Sequence, residues 1–214
     1  MKKTTFICSL GFLFVMLMAC DAGDNEQDPN IGTHSSGISD ISVQGKPGRT
    51  DLAFIAQQLA ISYSTSIDDT STTLSRKIIL MDAASLNVPL FISLKPVGFT
   101  LPTVTEANVF LTNYNYAYAS LNVSPQMKMY LDSLVTTNNV DFTTLASTIN
   151  TDLVLTLIEK VQLQFIVTYL GDTYNDPIED RSWSKKNIVA AMNGFAKSSA
   201  NAVFNVALVK IMQK

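Results

Sequence analysis

From residue 51 onward, large apolar side chains recur every three or four positions, which is the spacing of one face of an α-helix. Leu52, Ile55 and Leu59 begin the pattern, and Asp51 stands before them as an N-cap. The stretch is long enough to bury one substantial core. We therefore predict a mainly α fold over residues 51–214, a single-domain helical bundle of about six to seven helices.

Capping signals mark where several of these helices begin. Thr103 and Glu106 form a capping box, because the hydroxyl and the carboxylate can each satisfy an unpaired backbone amide. Three prolines between residues 87 and 102 predict an irregular crossing with a short strand at residues 90–94. The expected helices run from residue 52, over 72–84 and 103–121, from Pro125 after the N-cap Ser124, from the N-cap Asp141, and over 183–212, where Gly194 and Ser198-Ser199 kink or divide the chain.

Residues 152–170 fit two descriptions. Apolar residues occupy nearly every odd position, which is the alternation of a β-hairpin. A hairpin would turn at Glu159-Lys160, and these residues do not suit the positive φ of a tight turn. As a helix, the segment carries one narrow polar stripe, and Gly171 supplies a C′ stop. We predict a deeply buried helix and keep the hairpin as the alternative.

The beginning of the chain carries a different signal. Lys2 and Lys3 precede an apolar segment at residues 6–18, which is shorter than the roughly 20 residues that span a bilayer. The segment ends in Leu-Met-Ala followed by Cys20. This arrangement resembles the lipobox of bacterial lipoproteins, which signal peptidase II cleaves before an acylated cysteine. The resemblance implies a signal peptide over residues 1–19 and a membrane anchor at Cys20.

Four acidic residues lie among the eight that follow Cys20. Such a cluster resembles the export signal of Bacteroidetes-type lipoproteins, which implies a surface-exposed position on the outer membrane. An aspartate directly after the cysteine also resembles the retention signal of enterobacteria-like lipoproteins, which implies the periplasmic face of the inner membrane. Residues 20–50 are rich in Gly, Ser and Asp, so we expect an acidic, flexible tether.

The residue types present exclude several kinds of chemistry from the predicted domain. Cys8 and Cys20 are the only cysteines, so residues 51–214 have no disulfide and no thiolate ligand. His34, the only histidine, lies in the predicted tether, which excludes histidine-based catalytic and metal sites. A net charge of -3 provides no electrostatic surface for nucleic acid. We expect no cofactor.

One loop concentrates carboxylates. Asp172, Asp176, Glu179 and Asp180 lie close together, and hard oxygen ligands at this density could hold Ca²⁺. The spacing is not that of an EF-hand, and a solvated, helix-capping cluster is the favoured interpretation. The same four carboxylates are the candidates for a glycan-cleaving enzyme.

Three tyrosines, Tyr114, Tyr116 and Tyr118, lie within five residues of a predicted helix. Exposed rings would suit sugar or peptide recognition, because they offer rigid contact area and a polar group. Tyr114 and Tyr118 share a helix face, and we favour a core position for two of the three.

The functional hypothesis is a membrane-anchored envelope lipoprotein of a non-enzymatic kind, a binding or scaffold module for a protein or glycan partner. Its partners are then the membrane, through the lipid on Cys20, and an envelope protein or glycan, with no nucleic acid. Two alternatives remain: a carboxylate-dependent glycan-acting enzyme, and an anchored inhibitor or immunity-type protein that intercepts a toxin.

Overall fold

The computed structural model describes residues 51–67, 73–137, 139–173 and 181–213. The expected signal peptide, tether and acylated Cys20 lie outside the described residues. Within those residues the fold is mainly α, as predicted, with ten helices rather than about six to seven. No helix in these ranges is both long and apolar enough to cross a membrane.

The helices are short, and side chains cap the first turn of most of them. Asp51, Thr103, Ser124 and Asp141 accept the backbone N–H bonds predicted for them, and Glu106 completes the capping box. The elements are α1 (Leu52–Ser66), α2 (Leu74–Ser85), α3 (Pro89–Leu94), α4 (Val104–Leu111), α5 (Tyr114–Ala119), α6 (Pro125–Thr136), α7 (Phe142–Thr151), α8 (Leu157–Thr173), α9 (Arg181–Phe195) and α10 (Ser199–Ile211).

Three local differences account for the larger number of helices. The predicted strand at residues 90–94 is wrong, because Pro89 begins a helix there and places Phe91 in the core with no exposed surface. The helix predicted to reach residue 121 ends at Leu111, and α5 starts after Asn113, whose backbone is not helical. The last predicted helix is divided into α9 and α10 in the region of Gly194 and Ser198, as expected.

The helix predicted for residues 152–170 is confirmed from Leu157 onward, but three details differ. Residues 152–156 are not helical, because the carboxylate of Asp152 accepts backbone amides inside that loop. The first turn of α8 is exposed, so burial begins only at Leu163. Gly171 does not stop the helix, which continues to Thr173; instead Gly171 makes room for the side chain of Phe142 on α7.

The core is centred on α10, in which every residue from 200 to 209 is buried. This helix packs against α1, α3, α4 and α9. Two asparagines inside it are hydrogen bonded outward: the Asn201 amide donates to the Thr100 carbonyl at 2.9 Å, and the Asn205 amide donates to the Ala190 carbonyl at 3.2 Å. The sequence predicted one apolar face for this segment, whereas in the structure α10 is buried on all sides.

The backbones of α9 and α10 touch near the turn that joins them. A Cβ atom added to Gly194 would lie 2.2 Å from the Cα atom of Ala202 and 2.3 Å from its backbone nitrogen. Only a residue without a side chain permits this approach, since such distances are far inside van der Waals contact. Gly194 therefore fixes how closely the two central helices pack.

Candidate functional site

A groove of about 760 Å³ opens beside α5 and α9. We call it the α5–α9 groove; its volume falls in the range typical of ligand sites. Five helices and the loop between α5 and α6 contribute to it. Its apolar lining is Val109, Ala117, Leu121, Val123, Met127, Val189, Met192, Phe195 and Ala196, and its polar lining is Ser120, Asn122, Ser124, Glu159, Gln162 and Asn193.

Three of the polar lining residues offer unused hydrogen-bonding groups. Within the described part of the chain, the side-chain amides of Asn122, Gln162 and Asn193 make no hydrogen bond. Each amide has both donor and acceptor atoms. By contrast, the Ser120 hydroxyl donates to the Tyr116 carbonyl at 2.9 Å. A ligand in the groove would therefore meet three amides from α8, α9 and the α5–α6 loop.

The one carboxylate of the groove, Glu159, is already engaged. Hydrogen bonds from the Ser124 hydroxyl and from the backbone N–H of Thr156 hold the pKa of Glu159 below its usual range. The Thr156 amide and hydroxyl lie 2.9 and 2.8 Å from the carboxylate. Glu159 thus ties the start of α8 to the start of α6. It is a charged acceptor rather than a proton donor at neutral pH.

Tyr118, one of the three candidate tyrosines, is buried and holds α5 in place. Its hydroxyl donates to Asp132 on α6 at 2.8 Å. The ammonium groups of Lys128 and Lys185 lie 4.5 and 5.8 Å from the centre of its ring. Burial and the neighbouring Asp132 carboxylate raise the pKa of Tyr118, so the hydroxyl stays protonated. Its role in the structure is to attach α5 to α6 and α9.

The other two tyrosines face different surroundings. Tyr114 is half-buried, with the Lys186 ammonium 5.1 Å from its ring centre. Tyr116 is 81% exposed. Lys185 also donates to Asn115 at 3.1 Å, which adds a second link between α9 and α5. The three rings therefore do not form one continuous surface, and only Tyr116 is freely available to a partner.

The acidic cluster is described at one position. Asp172 is exposed near the end of α8 and accepts a hydrogen bond from Gln57 on α1 at 3.2 Å. Asp176, Glu179 and Asp180 lie outside the described residues. In the ranges that the structure covers, no group of three or more His, Cys, Asp or Glu residues could hold a metal ion. The calcium and glycan-cleavage hypotheses therefore depend on residues 174–180, which the structure does not describe.

A second polar centre, Asp152, lies where α7 passes into α8. Its carboxylate accepts hydrogen bonds from Gln126 at 2.6 Å and Tyr130 at 2.8 Å, and from the backbone N–H groups of Val154 at 2.7 Å and Leu155 at 3.3 Å. These bonds, led by that of Tyr130, lower the pKa of Asp152 to about 2. A single carboxylate thus attaches the α7–α8 loop to α6.

We expect the free energy of unfolding of Asp152→Asn to depend less on pH in the acid range than that of the wild type. The pKa of Asp152 is lower in the folded chain than the usual 3.8, so its ionised form stabilises the fold above about pH 4, and this contribution is lost as the pH falls toward 2. Urea unfolding measured from pH 5 to pH 2 should give a free energy of unfolding that falls less steeply with decreasing pH for Asp152→Asn than for the wild type. Tyr130→Phe, which removes one donor, should give an intermediate slope. Equal slopes in all three proteins would contradict this assignment.

Sequence patterns did not identify the lining of the α5–α9 groove. Asn122, Gln162 and Asn193 come from separated segments, and only tertiary packing brings them to one groove. No spacing of residues within one segment could have predicted that these three amides lie together. No protein-family model, curated protein or solved structure matches this chain. Its function is therefore inferred from the groove and its surroundings.

Proposed function

We propose that this chain is a membrane-anchored binding protein of the bacterial envelope, which accepts a peptide segment of a partner protein in the α5–α9 groove. The anchor is the acylated Cys20. The observation that supports binding is the combination, in one open groove, of an apolar lining with three amides that have no internal partner in the described part of the chain. Pockets of this composition are typical of ligand sites.

A peptide matches this lining better than a charged ligand. The peptide backbone alternates N–H and C=O groups, and the side-chain amides of Asn122, Gln162 and Asn193 complement both kinds. The apolar residues of the groove, among them Met192 and Phe195, would contact the side chains of the peptide. Glu159 keeps its negative charge, but its carboxylate already accepts hydrogen bonds from Ser124 and Thr156.

The anchor is supported by the segment that ends at Cys20 and by its resemblance to a lipobox. Mass spectrometry of the chain purified from its own bacterium should give an acylated cysteine as the first residue. Cys20→Ala should release the protein from the membrane fraction. The acidic residues after Cys20 favour the outer membrane over the inner one, which density separation of the two membranes tests. Protease added to intact cells then tests surface exposure. An unmodified first residue would contradict the anchor.

A photo-reactive amino acid placed at Asn122 tests the groove in living cells. We expect it to cross-link to one envelope protein, and digestion of the adduct should place the link on a short segment of that partner. Met129 provides a matched control, because it is 54% exposed on α6 and does not line the groove. Equal cross-linking from both positions would contradict the proposal, as would capture of a glycan without any peptide adduct.

Met192→Arg is expected to abolish this cross-link without unfolding the protein. Met192 is partly buried and lines the groove, so a longer, charged side chain there would fill the space while its head remains in water. Met129→Arg makes the same chemical change outside the groove and should leave the cross-link intact. The measurement is adduct yield, with thermal melts of both variants as the folding control. Undiminished yield in Met192→Arg would show that the partner does not enter the groove.

A further inference from the structure

Five large aliphatic side chains are exposed together where α7 passes into α8. Leu153 is 97% exposed, Leu157 78% and Ile158 70%. We call this set the α7–α8 patch; its members are Leu153, Val154, Leu157, Ile158 and Val161. Exposed apolar clusters of this kind mark interaction surfaces rather than ordinary protein exterior.

Three backbone amides of this segment are paired with side chains of the same segment. The backbone N–H groups of Val154 and Leu155 donate to Asp152, and that of Thr156 donates to Glu159. The segment therefore offers aliphatic side chains outward, while three of its backbone donors are already paired. These three pairs lower the cost of moving the segment into an apolar medium, because a buried amide without a partner is unfavourable.

Its charged side chains are also engaged. The Lys160 ammonium donates to the Asn150 carbonyl at 2.9 Å. Asp152 accepts from Gln126 and Tyr130, and Glu159 from Thr156. A protein partner commonly adds hydrogen bonds at its contact, whereas this surface has few groups left to make them. An apolar medium without directional bonds fits it better.

The patch lies close to the point where the chain enters the domain. Leu157 and Val161 line a second groove, of about 630 Å³, whose other residues include Asp51 and Leu52 at the start of α1. Residues 1–50 precede this point, and Cys20 is separated from Asp51 by about 30 residues. An anchor at Cys20 would therefore attach the domain to the bilayer through the end of the chain at which the patch lies.

We infer that the α7–α8 patch inserts into the lipid surface that carries the anchor. This inference rests on the acylated Cys20 of the proposed function. The anchor raises the effective concentration of the patch at the bilayer, so a modest apolar contact is enough to orient the domain. Contact at this end would fix which of its surfaces faces away from the membrane.

The test places a polarity-sensitive fluorophore on the lipidated protein. Leu157→Cys is labelled and reconstituted into vesicles of phosphatidylethanolamine and phosphatidylglycerol, with or without lipids that carry nitroxide quenchers. Val97→Cys is the matched control, because Val97 is an exposed aliphatic residue like Leu157 and lies outside the patch. Acylation leaves the thiol of Cys20 unavailable to the dye. Flotation of the vesicles measures anchoring separately.

We expect the label at position 157 to shift to shorter emission wavelengths in vesicles and to lose intensity with quencher lipids, while the label at position 97 does neither. Anchored protein with equal signals at both positions would overturn the patch contact and leave the anchor intact. Protein that does not float would overturn the anchor, and the patch contact with it. A doubled molar mass that Leu157→Glu reverses would overturn lipid contact in favour of a second copy of the chain.

Discussion

Replacing Gly194 with alanine is expected to lower the free energy of unfolding by about 3 kcal/mol or more. The added methyl group would lie 2.2 Å from the Cα atom of Ala202 and 2.5 Å from the carbonyl carbon of Asn201. Both are backbone atoms of the buried helix α10, so no side-chain rotation relieves the clash. The two central helices would have to separate, which disturbs packing along the core. Urea unfolding followed by circular dichroism measures the change.

Gly171→Ala provides the matched control. Gly171 also lies inside a helix, so alanine brings the same gain in helix propensity, about 1 kcal/mol. Here the methyl group would meet the Cβ and Cγ atoms of Phe142 at 3.0 Å, so Phe142, at the start of α7, would need to move by only a few tenths of an ångström. We expect this variant to remain within about 1 kcal/mol of the wild type. Similar losses in the two variants would contradict the role given to Gly194.

Phe204→Ala is expected to lower the free energy of unfolding by about 4 kcal/mol. The ring has no exposed surface, and its centre lies 6.2 Å from the ring centres of both Phe91 and Phe99. These three rings join α10 to α3 and to the turn that follows α3. Truncation would leave a cavity under α3, because the buried ring of Phe91 would lose one of its partners. Thermal and urea unfolding should both report the loss.

Phe99→Ala removes a ring from the same cluster and serves as the comparison. Phe99 is only partly buried, although it contacts both of the other rings and has the Lys95 ammonium 5.0 Å from its centre. Water can fill part of the space it leaves, so we expect a smaller loss than for Phe204. A loss as large as that of Phe204→Ala would mean that the cluster is not organised around α10.

Local signals predicted the fold best. Asp51, Ser124 and Asp141 cap the helices expected of them, and the Thr103–Glu106 capping box is present. Each of these signals acts within one helical turn, so the sequence nearby contains all the information required. The helical interpretation of the stretch that became α8 also succeeded, because a hairpin needed turn residues that the chain lacks.

Signals that depend on tertiary contacts were missed or misread. Leu157 and Ile158 belong to an apolar run that was predicted to be buried, yet they are exposed, because no element of the described chain covers their side of the first turn of α8. Gly171 has the position of a helix stop, but contact with Phe142 gives it another role. The groove amides come from three distant segments. Periodicity identifies a helix, and only packing decides which of its faces is covered.

The position of α10 at the centre of the core has a consequence for biosynthesis. This helix follows the other nine helices of the described residues, yet α1, α3, α4 and α9 each pack against it. A growing polypeptide that has emerged as far as α9 therefore still lacks the partner that covers those four helices. Closure of the core must therefore wait until α10, which ends at Ile211, has been made.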